Sequence, residues 1–271
     1  MAEESPSTDE RVKRKQRREQ IERRVYFVTS FVLLMLIWEA CRATGLINPK
    51  LFPSIDAVAR SAVAQFRDGS LQQHMYASFL RVLISFSIGI VLAVVFGFLI
   101  GWFRVVRLLV DPAINFFRAL PPIALIPLMI IFFGIGETSK IIVLSYASFF
   151  PALVVIYQAL VSLDPIYVRA ARTLGATNME MFRKIILPQL VPHIITACRV
   201  SLGVCWATLV AAELIAAQRG IGAMMVEAQN FFQMPPLVLG IILIGAISLA
   251  MDAAVKSIER RATKWQEKLS N

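Results

Sequence analysis

The sequence predicts an all-α, polytopic membrane protein with six membrane-crossing helices. Three observations predict it. Hydrophobic residues make up 57% of the 271 and charged residues only 17%, with a mean hydropathy of +0.66, against roughly 45–50% and 25% in soluble domains. Six long apolar segments recur along the chain, and each can cross a hydrocarbon core of about 30 Å with some tilt or flanking residues. Backbone in hydrocarbon must satisfy its own hydrogen bonds, and a single segment does so only as a helix. The formal charge of +10, from 28 Lys+Arg against 18 Asp+Glu, then reads as a loop-charge bias that orients membrane proteins, not as a nucleic-acid surface. Membrane lipid is an expected partner and nucleic acid is not.

Taken in order, residues 1–24 hold eight Lys/Arg and six Asp/Glu with almost no apolar periodicity, which predicts a solvated tail. A single membrane domain is expected over 25–260 and a second short tail over 261–271. The apolar segments are 25–41, with Glu39 near its far end; 82–103, which contains no charge; 119–136, which carries Pro121, Pro122 and Pro127; 141–163, with Pro151 inside; 200–218, interrupted by Glu213; and 235–250. The charged start and the lack of a small-residue cleavage site after 25–41 give no expectation of a secretory signal peptide.

Orientation follows from Lys and Arg. One side would carry the tail, then Arg104, Arg107, Arg118, Arg169, Arg172, Arg183 and Lys184, then Lys256, Arg260, Arg261, Lys264 and Lys268, twenty in all. The other would carry Lys50, Arg60, Arg67, Lys140 and Arg219, which is five. Twenty against five places both termini in the cytoplasm. Between the first two spans, Ile55, Val58, Ala59, Ala62, Val63 and Phe66 fall on one helical face, with Ser54 able to cap its start and Gly69 to end it. This is expected to be an amphipathic helix on the outer membrane surface.

The cytoplasmic segment 164–188 carries most of the functional information. Asp164-Pro165 is an N-cap followed by proline at the first helical position. Gly175 is placed as the left-handed residue that ends this helix. Thr177-x-x-Glu180 has the form of a capping box opening a second helix. Pro188 is expected to limit that one, because Leu187 before it is biased out of the helical region. Two short helices with a sharp turn are therefore predicted between two spans.

Ala170-Ala171, then Gly175, then Ile185-x-Leu187-Pro188 resembles the EAA loop of bacterial ABC-importer permeases. Arg169 stands where that motif begins with Glu. The resemblance continues through Ala119-Leu-Pro-Pro-Ile-Ala-Leu-Ile-Pro-Leu128, Phe133-Gly-Ile-Gly-Glu-Thr-Ser-Lys140, and Gly203 to Ile215 followed by Arg219-Gly-Ile-Gly222. It covers roughly 25–265 and is similar to the taurine, sulfonate, nitrate and bicarbonate branch, nearest to taurine permeases. It implies the type I importer permease fold and a homodimeric pathway in a bacterial inner membrane. It also implies two cytoplasmic ATP-binding subunits, which hold ATP and Mg, and an extracytoplasmic substrate-binding protein. Arg169, Ala170, Ala171, Arg172, Leu174 and Gly175 would form the helix that couples to the ATPase. Taurine or another organic sulfonate leads as cargo, with nitrate or bicarbonate behind.

The remaining signals are weighed from the residues alone. The three prolines forbid a regular helix throughout 119–136, and broken helices in transporters line pathways; Pro121, Pro122, Pro127 and Glu213 are the pathway candidates. Glu213 also has the simpler reading of a carboxylate near the outer end paired with a polar or cationic neighbour. Arg81, Arg118 and Arg199 read as interface anchors, and Gly97-x-x-x-Gly101 as a site of close helix approach. Cys41, Cys198 and Cys205 read as small buried residues, and His74 and His193 lack metal-ligand spacing. No G-x-x-x-x-G-K-[ST] occurs, so no ATP hydrolysis and no cofactor is expected in this chain. The rival from another class is an ion-coupled transporter using Glu213.

Overall fold

The computed structural model describes residues 22, 25–26, 29–30, 32–42 and 51–262. They fall into two compact units, one through Ala59 and one from Arg60. The expected first span, 25–41, lies partly outside the described residues, as do most of the tail 1–24 and all of 263–271. In the first unit, helix α1 covers 32–42. Its Trp38 donates the indole N–H to the Pro53 carbonyl at 3.1 Å and lies 4.6 Å, centroid to centroid, from Phe52. Helix α2, Ile55–Arg67, starts there too, capped as expected: Ser54 Oγ accepts the Ala57 N–H at 3.1 Å.

The second unit continues with α3 (Ser70–Trp102), α4 (Arg104–Ala119), a 3₁₀ turn (Pro122–Leu125), α5 (Ile126–Phe133) and α6 (Glu137–Val161). After these come α7 (Pro165–Thr173), α8 (Asn178–Met181), a π turn (Phe182–Ile186), α9 (Leu187–Ala216), α10 (Ile221–Asn230) and α11 (Met234–Ala262). Among the described residues there is no strand. Among the described residues, four helices are long and apolar enough to cross a membrane: α3, α6, Asn178–Ala216 and Met234–Glu259. A fifth crossing arises if α4 and Pro122–Phe133, which meet at 87°, count as one broken span. With 25–41 added, the six predicted crossings are compatible with this architecture.

The third predicted span needs redrawing. Residues 104–119, read in the sequence as an inter-span stretch, form a helix, and the apolar run 119–136 shrinks to the short α5. The cause is Pro121-Pro122. Leu120 and Pro121 precede prolines and are both extended, at φ −74, ψ 122 and φ −62, ψ 125, because proline rings clash with a helical predecessor. Helix α4 is amphipathic. It holds to α6 through Tyr157, whose hydroxyl meets Asp111 Oδ1 at 3.3 Å, and through Tyr146, which donates to the Phe117 carbonyl. Its other face leaves Val105, Leu108, Leu109 and Phe116 exposed.

The core lies along α3, α6 and α9. Val82, Leu144, Leu202, Trp206 and Leu209 form one buried cluster, and Ala93, Leu153, Ile156 and Ala197 another. Small residues on α3 let α6 approach. A Cβ built on Gly89 would stand 2.6 Å from Ser148 Cβ and 2.8 Å from the Ser145 carbonyl oxygen, and one on Gly97 would stand 2.7 Å from Ile156 Cγ2. Gly101 meets Leu160 in the same way, so the expected Gly97/Gly101 contact is real and includes Gly89. Overpacking of this kind typically costs about 1–3 kcal/mol. Gly89→Ala should therefore lower the thermal unfolding midpoint of the purified protein. Gly203→Ala, where a Cβ meets nothing within 4 Å, should not. Equal midpoints for the two would contradict this packing.

Candidate functional site

Two arrangements stand at opposite ends of the α6–α9 pair. Helix α6 runs from the second, at its N-terminus, to the first, at its C-terminus, and α9 returns. At the α6 C-terminus, the segment between the two helices is built as the sequence predicts. Asp164 Oδ1 accepts the Ile166 N–H at 2.9 Å, with Pro165 at the first helical position of α7. The helix ends in a Schellman motif. Ala176 N–H donates to the Ala171 carbonyl at 3.0 Å and Gly175 N–H to the Arg172 carbonyl at 3.0 Å, with Gly175 at φ +76, a conformation that costs glycine nothing. The reciprocal capping box follows: Glu180 N–H donates to Thr177 Oγ1 at 3.3 Å and Thr177 N–H to Glu180 Oε2 at 3.1 Å. The Thr177 N–H, Lys184 at 3.0 Å and the Thr177 hydroxyl hold the Glu180 carboxyl down to about 2. A depressed carboxylate stabilises the fold above its ordinary range, so this contribution is lost only as pH falls toward 2.

Pro188 does not end the second helix. Leu187 stays helical at φ −58, ψ −46, and α8, the π turn and α9 run on as one apolar helix. Proline removes an N–H and crowds the preceding turn; the wider π turn immediately before it accommodates both. The segment is seated on the bundle. Ala171 is buried with Ala159, Leu160, Met181, Ile186 and Leu190. Phe182 packs edge-on against Phe98 and Trp102, at centroid distances of 5.3 and 5.9 Å. Of the six predicted coupling residues, Ala171 thus faces inward, whereas Arg169, Ala170, Arg172, Leu174 and Gly175 are exposed. Leu174 is 87% exposed, and Ile166, Tyr167 and Met179 are exposed too. A groove of about 430 Å³ runs between Tyr167, Ala170 and Leu174 on one side and Ile185 and Pro188 on the other.

The other end holds an ion cluster that sequence reasoning only partly found. Glu213, 1% exposed, accepts from Ser78 Oγ at 2.7 Å, Arg81 Nη1 at 2.6 Å and the Gly222 N–H at 2.8 Å. Ser78 Oγ accepts the Ile221 N–H at 2.8 Å, and His74 Nδ1 accepts the Gly220 N–H at 3.1 Å. Arg81, 6% exposed, also donates to the Arg219 carbonyl at 2.6 Å. It grips Glu137 with two bonds, Nε at 2.5 Å and Nη2 at 2.8 Å. Lys140 reaches the same carboxylate at 3.2 Å. Two cations and two carboxylates make the cluster neutral, which is how buried charge is tolerated. The turn fits only because it is glycine. A Cβ on Gly220 would strike the Glu213 carboxylate, and one on Gly222 would stand 2.6 Å from Glu213 Cβ.

The cluster corrects one sequence expectation. Arg81 is no interface anchor: α3 begins at Ser70, so Arg81 lies inside the helix, 6% exposed and paired with Glu213 and Glu137. Arg199 pairs with Asp252 on α11 at 2.8 Å. Arg118 is exposed, with Asn115 Oδ1 at 3.4 Å. The signal available in sequence was the lone charge in an apolar stretch, which needs a partner. Glu213 bonds to α3 and to the 219–222 turn. Pro121 and Pro127 are exposed, Pro122 is half-buried, and none of the carboxylate's bonds goes to them. Cys205 is buried while Cys41 and Cys198 are half-buried.

Residues 89–264 match the family described as binding-protein-dependent transport system inner membrane component. The chain is 42% identical over 231 residues to a probable ABC transporter permease protein of Brucella abortus, covering 85% of this chain and 91% of that one. It is 35% identical over 243 residues to the taurine transport system permease protein TauC of Escherichia coli, covering 88% of each. A solved amino acid ABC transporter matches with TM-score 0.61 at 16% identity, over 74% of this chain and 97% of that one, which is a likeness of fold.

Proposed function

The chain belongs to the binding-protein-dependent transport system inner membrane components, and from that membership we propose that it passes a small organic sulfonate, taurine first, through an ATP-driven importer. As an ABC-importer permease subunit of the inner membrane it is not itself an enzyme. The ion-coupled alternative falls with the family assignment, and Glu213 is not needed as a coupling acid. The observation that carries the substrate is the likeness to TauC across nearly the whole of both chains. Reconstitution with the cognate binding protein and ATPase should give ATP turnover stimulated by taurine or another sulfonate. Stimulation by nitrate or bicarbonate but by no sulfonate would overturn the choice.

In this reading two copies form the pathway, and the exposed apolar faces of α4 and α5 offer surface for the second. Each copy binds one ATPase subunit, which holds ATP and Mg, and a binding protein delivers cargo from outside. The exposed side of α7, with Arg169, Ala170, Arg172, Leu174 and Gly175, is the docking helix. Ala171 fixes it to the bundle, so a push on α7 moves the ends of α3, α6 and α9 together and flips the pathway between inward- and outward-facing states. Pro121, Pro122 and Pro127 interrupt the span nearest that pathway. Both termini and the 164–188 segment lie in the cytoplasm. With the three native cysteines removed, a single cysteine at position 172 should react with an impermeant thiol reagent only after cells are opened. Labelling from outside intact cells would reverse the topology.

A further inference from the structure

The geometry points to a small-anion site at the mouth of the permease, floored by Arg81 and Lys140 and held closed by Glu137. A cavity of about 340 Å³ lies there, lined by Arg81, Glu137, Lys140, Gln218 and Arg219 among others. Two of its cations, Arg81 and Lys140, are 6% and 5% exposed and cannot leave. A third, Arg219, stands exposed at the rim; its carbonyl is engaged by Arg81, and no carboxylate lies within ion-pair distance of its guanidinium among the described residues. The counter-charges are unequal. Glu213 is sealed beneath the 219–222 turn, whereas Glu137 is 56% exposed in its side chain while bridging both buried cations.

Glu137 therefore does what an incoming anion would do. Its two oxygens satisfy the Arg81 fork and the Lys140 ammonium from the solvent side. Buried cations need an anion at that spot, because stripping one partner from such a pair is strongly unfavourable. They do not need the anion to be covalently attached. Swinging an exposed glutamate aside is cheap provided another oxyanion takes its place. The ligand class is a small monoanionic oxyacid. A carboxylate already fits the two-cation floor, and a sulfonate brings a third oxygen for the Arg219 fork. Coupled to its position at the end of the bundle opposite the docking helix, the site would receive the anionic group of the cargo as it enters. The choice of sulfonate as the probe rests on the function proposed above; the anion site itself does not.

The test uses the permease–ATPase complex in lipid nanodiscs, at constant ionic strength set with sodium chloride. Methanesulfonate should raise the unfolding midpoint of the permease saturably, and its uncharged isostere methanesulfonamide should not. Glu137→Gln keeps the shape but removes the competing charge, so its half-saturating concentration should fall about tenfold, the factor that roughly one charge-assisted bond supplies. Arg219→Gln, a change at an exposed side chain that folds in either case, should raise it by about the same factor. An equal response to methanesulfonamide overturns the site. So does a saturation curve unmoved by either substitution, or a Glu137→Gln protein that methanesulfonate does not stabilise. Nitrate-only transport with a responsive midpoint would defeat the sulfonate reading and leave the anion site standing. Sulfonate-stimulated turnover with an unresponsive midpoint would do the reverse.

Discussion

Arg81→Ala should cost the folded permease about 3–5 kcal/mol, the range found when one partner of a buried ion pair is removed. The substitution strands the Glu213 carboxylate at 1% exposure with only Ser78 and the Gly222 N–H left to it. It also frees the Arg219 carbonyl and leaves Glu137 to Lys140 alone. Four pieces of chain lose a shared anchor: α3, the start of α6, the end of α9 and the 219–222 turn. Glu213→Ala should be comparably severe, because it leaves Arg81 half-paired and the Gly222 and Ser78 donors without their acceptor. Because both changes act on one pair, Arg81→Ala/Glu213→Ala should be less damaging than the two single costs added together, which is the signature of direct coupling. Unfolding midpoints of the purified protein in detergent, with membrane levels alongside, check this. Native-like midpoints in both single variants would remove the cluster from any account of stability.

Legibility in the sequence tracked how local each interaction was. The caps at Asp164, Gly175 and Thr177/Glu180 depend on residues one to five positions apart, so their chemistry reads directly from the chain and each appears in the structure as expected. The amphipathic stretch opening at Ser54 was legible for the same reason. Pro188 escapes the local rule because a π turn just upstream lets the helix pass through the proline. The Arg81–Glu213 pair joins positions 132 residues apart, and no pattern along one helix reports that. What the sequence did contain was a charge whose place in an apolar helix required a partner, and a misplaced helix start hid it. Likewise the inward turn of Ala171 is a tertiary fact. In the motif both alanines look alike, yet Ala170 faces out and Ala171 is buried against Met181 and Leu190.

That difference separates two kinds of damage at the proposed coupling segment, and the second large effect expected is on the outward side. Leu174 is 87% exposed on a cytoplasmic tip in the proposed topology, and exposed apolar clusters of this kind mark partner surfaces. Leu174→Asp removes apolar area and adds a charge that docking would have to desolvate. It breaks no contact within the chain's cores, so membrane levels and unfolding midpoint should stay native. ATPase co-purification should fall at least tenfold, equivalent to about 1.4 kcal/mol, and transport in proteoliposomes should be lost with it. Gly175→Val acts through the backbone. Nothing lies within 4 Å of a Cβ there, so the whole cost is that of a β-branched residue at φ +76, about 1–3 kcal/mol. The Schellman turn should open and the docking helix lose its fixed angle, with weakened ATPase retention and a small loss of stability. Ala171→Glu should instead behave as a core lesion, since a carboxylate there has no room beside Ala159, Leu160 and Leu190; the folded permease itself should become scarce. Native ATPase retention and transport in Leu174→Asp and Gly175→Val alike would place the coupling surface elsewhere.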